Sequence, residues 1–151
     1  MDVEALLASF IRVAGLAGVT ILRETVAVEV LPAPHRPPTL PAGKMGVYIF
    51  QWGDQCLKVG KAGPRSHARY SHQHYNPRSA TRSLAKSILK ELDNLGIAGI
   101  DEGNVGEWIR QRTDRINILL DDDAGVPVLS LLESFLQCCL RPRFEGFERQ
   151  R

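Results

Sequence analysis

Apolar residues recur at helical spacing through the first stretch of the chain. Val3, Leu6, Leu7, Phe10, Ile11 and Ala14 share one stripe of residues 2 to 16, and Asp2 stands where a helix cap belongs. The period then shortens: Val26, Val28 and Val30 alternate with their neighbours between Thr25 and Leu31, which predicts a strand. Five prolines between Pro32 and Pro41 predict an extended connector, so residues 1–43 read as an N-terminal helix, strand and linker ahead of a body at 44–151.

The body opens with two short runs, Gly46 to Gln51 and Cys56 to Val59, joined by Gly53-Asp54, which predicts an antiparallel hairpin. Gly60 and Gly63-Pro64 end the second strand and start a helix carrying Arg65, Arg69 and either His72 or His74, with Asn76-Pro77 as its stop. A second helix is expected from about Thr81 to Leu95, with Leu84, Ile88, Leu92 and Leu95 inward. A short one follows over Asn104 to Gln111. Arg115 to Leu120 reads as a largely buried strand. Ala124 to Leu140 is almost wholly apolar and fits a helix packed on the sheet, interrupted by a single charge, Glu133. A carboxylate in such a helix is costly to hide unless it is exposed, paired or bound to a cation. Arg141-Pro142-Arg143-Phe144 should run extended near its proline.

Composition narrows the class. The 151 residues suit one domain, and no apolar run reaches the length of a membrane helix. The N-terminal residues lack a basic secretory region, so the chain reads as intracellular and cytoplasmic. Cys56, Cys138 and Cys139 have no metal-ligand spacing and read as buried thiols. Charge is unevenly spread: between Gln55 and Lys90 there are eight lysines and arginines and no acid, whereas Glu91 to Gly125 holds nine acids against three arginines. The basic segment should attract a polyanion, and inside a cell that most often means nucleic acid.

One ordered set carries more than its parts. Gly46-Val47-Tyr48, then Lys58-Val59-Gly60, then Arg69 on a basic helix, then the lone Glu133 ahead of an RPRF segment, resembles the GIY-YIG nuclease superfamily over about residues 44 to 147. Lys58 stands where the second motif usually has tyrosine, as in some restriction enzymes of the superfamily, and Glu145 stands where asparagine is usual. The resemblance implies an α/β domain of the α+β type: a small three-stranded antiparallel sheet flanked by helices, with the N-terminal helix and strand outside it. It also implies a metal-dependent endonuclease acting on DNA, RNA not excluded.

The chemistry is coherent residue by residue. Glu133 is a suitable ligand for one Mg²⁺ or Mn²⁺ ion, which usually takes one or two carboxylates and keeps water and phosphate for the rest. Arg69 can grip a phosphate in two places and stabilise charge in the transition state. Tyr48 could take a proton from the attacking water if a nearby Lys58 ammonium made the phenol more acidic; the converse, Lys58 as base with Tyr48 orienting the water, is equally permitted. Lys61, Arg65, His72 and His74 are candidate nucleic-acid contacts. Glu145 could support the metal, hold Tyr48, or repel a phosphate, and a nucleic-acid-binding module without catalysis is the alternative.

Overall fold

A computed structural model describes residues 1–80 and 82–144. Helix α1 (Val3–Leu16) forms as its stripe predicts, with Asp2 Oδ1 accepting from the Ala5 backbone N–H at 3.0 Å. Strand β1 (Ala27–Leu31) follows, then the hairpin β2 (Lys44–Trp52) and β3 (Gln55–Ala62). Helices α2 (His67–Ser71), α3 (Leu84–Lys90), α4 (Leu92–Leu95) and α5 (Val105–Arg112) precede β4 (Asp114–Asp121) and the final long helix, α6 (Val126–Leu140).

The sheet has four strands, not three: the order is β1-β4-β2-β3 and every pairing is antiparallel. The added strand is β1, which lies along β4 from Ala27 opposite Leu119 to Leu31 opposite Arg115. A buried β4 left as an edge would carry unpaired backbone groups away from water, and β1 removes that cost. The general α+β class therefore holds and the strand count does not.

Opposed residues of antiparallel strands share a face, so the register assigns every side chain. One face carries Val47, Ile49, Val59, Ile116 and Ile118 into a cluster with Leu7 and Phe10 of α1 and Leu129, Leu132 and Leu136 of α6. The other presents Tyr48, Phe50 and Leu119 to Tyr70, Tyr75, Leu84, Ile88, Val105 and Ile109.

Four local expectations change. The helix after Gly63-Pro64 begins only at His67, so Arg65 sits in the turn before it, and His74 falls in a separate 3₁₀ turn, Gln73–Tyr75. The long helix predicted to Leu95 is capped by Ser83 and breaks at Glu91, whose φ of −126° is not helical and whose carboxylate accepts from Arg143 Nε at 3.0 Å. Arg141, expected to be extended before its proline, is instead left-handed at φ 46° and caps α6. That reversal turns the chain back along β3, where the N–H groups of Arg143 and Phe144 reach the carbonyls of Cys56 and Leu57. Of the cysteines only Cys56 is buried; Cys138 and Cys139 are exposed, because the stripe of α6 that faces the sheet passes through Leu132 and Leu136.

Candidate functional site

Gly60 decides how the site is built. It lies directly opposite Tyr48 on the edge strand β3, and the tyrosine ring lies over it. A Cβ at position 60 would come within 2.5 Å of the Tyr48 hydroxyl and 2.7 Å of two ring carbons. The glycine thus lets a fully buried aromatic side chain extend across the outermost strand.

The Tyr48 oxygen is held from two sides. The Leu84 backbone N–H points at His74 Nδ1 at 3.2 Å, which fixes the neutral imidazole with its proton on Nε2; that proton is donated to Tyr48 Oη at 2.6 Å. Arg69 Nε donates to the same oxygen at 3.2 Å. Burial pushes the Tyr48 phenol above its ordinary value of 10.0; the Arg69 guanidinium works against that rise and the Glu133 carboxylate adds to it. Burial also drives His74 down to about 3, with the charges of Lys58, Arg115 and Arg69 pushing the same way. The phenol is therefore less acidic than the sequence suggested, because desolvation outweighs the cations around it.

Glu133 reaches this neighbourhood from the other side of β3. Its carboxylate, 15% exposed, pairs with Lys61 Nζ at 2.7 Å, and the same ammonium donates to Ser130 Oγ at 3.0 Å. Lys61 follows Gly60 and so projects from the opposite face, toward α6. The charge in the apolar helix is thus accounted for by pairing. A single carboxylate suits a Mg²⁺ that draws its remaining ligands from water and phosphate, though such an ion would compete with Lys61 for it. Among the described residues no three His, Cys, Asp or Glu side chains are grouped to hold a metal.

The remaining candidates scatter. Lys58 is 6% exposed, opposite Phe50 on the Tyr48 face of the sheet and close enough for its charge to act on His74. Arg65, Arg69 and His72 are exposed on the surface around α2. His74 uses both ring nitrogens inside the protein and is buried behind Tyr48. Glu145 lies outside the described residues.

Sequence reasoning missed the polar layer beneath the site. Arg115, with no exposed surface, donates from Nε to Asn117 Oδ1 (2.8 Å), from Nη1 to Tyr75 Oη (3.1 Å) and from Nη2 to the Tyr70 carbonyl (2.7 Å). Its guanidinium also stacks over the rings of Tyr48, Phe50 and Tyr70. Asn117, opposite Tyr48, passes the chain on to Glu29 of β1, which also accepts from Tyr70. Tyr75 in turn donates to His35 Nε2 at 2.8 Å, while His35 Nδ1 donates to the Thr113 carbonyl, so the proline-rich connector is tied to the same network. The available signal was the alternation Arg115-Ile116-Asn117-Ile118, which marks a strand whose second face is polar even though both faces are covered.

Comparison with family models, with curated proteins and with solved structures gives no match. Among the described residues no helix is long and apolar enough to cross a membrane.

Proposed function

We propose that this chain is a metal-dependent endonuclease that hydrolyses phosphodiester bonds in DNA, with its body related to the GIY-YIG nucleases. The observation that carries the reading is the approach of two groups of residues across Gly60: Tyr48 held by Arg69 and His74 on one side of β3, and the Glu133 carboxylate from α6 on the other. These residues are far apart in sequence, and each suits a different task in phosphoryl transfer. Glu133 would hold the cation, which when bound supplies positive charge beside the non-bridging oxygens. Arg69, at the surface, would grip the scissile phosphate while its Nε–H steadies Tyr48. With its phenol raised rather than lowered, Tyr48 fits the role of orienting the water, and Lys58, once its ammonium has given up a proton to solvent, that of accepting the water's proton. A cytoplasmic location accompanies this reading.

Supercoiled plasmid incubated with the protein and Mg²⁺ or Mn²⁺ should yield nicked circles, and Glu133→Ala should slow nicking by at least about 100-fold. Nicking that persists in that variant, or none from the native chain with either ion, would remove the proposal. A second reading, a nucleic-acid-binding module without catalysis, is favoured by the full burial of Tyr48 and the Lys61 ion pair on Glu133. Salt-sensitive DNA binding that EDTA leaves untouched, with no cleavage, is its signature.

A further inference from the structure

A groove of about 600 Å³ runs between the turn at residues 77–80 and α3, away from Tyr48 and Glu133. Its walls include Pro77, Arg78, Lys86, Leu89, Lys90 and Glu102, which sets three cations against one carboxylate. We propose that this groove binds the phosphate backbone of DNA beside the cleavage site, positioning the duplex without reading its sequence. The proposal rests on the nuclease reading for its ligand.

Four observations carry it. The groove has the size of a ligand site, and its partly apolar walls carry three cations, which suit an anion. Apart from Glu102, those walls fall within the segment from Gln55 to Lys90 that contains no acid. Glu102 itself is held by Arg78, with Nε at 3.0 Å and Nη2 at 2.9 Å from the same oxygen. Both side chains are more than half exposed, so the pair is weak and a phosphate can take the carboxylate's place on Arg78. The groove is also mechanically joined to the site. Leu84, the first residue of α3, donates to His74, and Ser79 Oγ reaches the Gln73 carbonyl at 2.8 Å, so both walls are anchored to the turn that braces Tyr48. A duplex seated there is fixed relative to Tyr48 and Arg69.

The test is binding of a short fluorescent DNA duplex by anisotropy across a salt series, without divalent metal, beside plasmid nicking with Mg²⁺. Lys86→Ala combined with Lys90→Ala should weaken binding by about tenfold or more at low salt and flatten the slope of log affinity against log salt by about two. Glu102→Gln should do the opposite, tightening binding by a few-fold on the order expected for a rim charge. Unchanged affinity and slope in the double variant overturns the groove, as does weaker binding by Glu102→Gln or failure of the native chain to bind DNA. DNA binding with the predicted slopes but no nicking supports the groove and overturns the nuclease reading alone. Nicking with groove variants that bind like the native chain overturns the groove alone.

Discussion

The two faces of the sheet are held by different physics. Toward α1 and α6, the valines and isoleucines of β2, β3 and β4 meet hydrocarbon, and Phe10 and Phe135 pack with their centroids 5.9 Å apart. Toward α2, α3 and α5, the same strands carry Tyr48, Arg115, Asn117 and Lys58, each buried. Trimming a side chain on the apolar face costs the area it covered, whereas removing a group from the polar face strands its partners as well. The second kind of face fixes positions more tightly, because a hydrogen bond tolerates little change in distance or angle.

Swaps that conserve size test this difference directly and should give the largest effect. Ile118→Leu, on the apolar face, should cost less than about 1.5 kcal/mol. Arg115→Met, of similar length, should cost about 3–5 kcal/mol, since it leaves the Tyr70 carbonyl and Asn117 Oδ1 buried without their donors. Urea titrations of both variants decide it. Equal costs would mean that the polar network is incidental to stability.

The same contrast governs what could be read from the sequence. The apolar face was legible: the stripes of α1 and α6 place Leu7, Phe10, Leu132 and Leu136 inward, and Gly53, at φ 56°, marks the hairpin turn. Arg115 to Leu120 read as a largely buried strand and is one, but the pattern did not show that Arg115 and Asn117 would be buried as a hydrogen-bonded layer rather than face water. Nor could pattern show that β1 completes the sheet, since edge pairing depends on which strand reaches β4. Of the site, Tyr48, Arg69 and Glu133 stood out by residue type and order. The role of Gly60 beneath Tyr48 and the pairing of Lys61 with Glu133 arise only from strand register and from the helix that packs on each face.

Acid should act through the polar face before the apolar one. In the folded chain His74 resists protonation down to about pH 3, while in the unfolded chain its imidazole takes up a proton below its ordinary 6.5. Its contribution to stability is therefore whole above pH 6.5 and is lost as the pH falls toward 3. Between pH 6 and pH 4 that amounts to roughly 2–3 kcal/mol. His35, also lowered by burial, adds in the same direction. Denaturation of the native chain and of His74→Gln at a series of pH values measures it. The variant should lose a large part of the slope, and an unaltered slope would assign the acid sensitivity to other groups.

The smallest effect isolates the contact that joins the two sides of the site. Gly60→Ala places a methyl group against the Tyr48 ring, which is closed in by Phe50, Tyr70 and His74 and cannot swing aside. Relief requires the ring to tilt and the hydroxyl to move off His74 and Arg69, at a cost of about 1–3 kcal/mol. Since the shortest of the three approaches is to the hydroxyl, Tyr48→Phe removes part of the clash, and Gly60→Ala should cost less in that background than in the native one. A coupling energy of at least about 0.5 kcal/mol in the double-mutant cycle is the expected sign. If the two changes were additive, the glycine would be there for the strand alone. A positive coupling means that β3 keeps a glycine at this point to let a side chain of β2 pass over it.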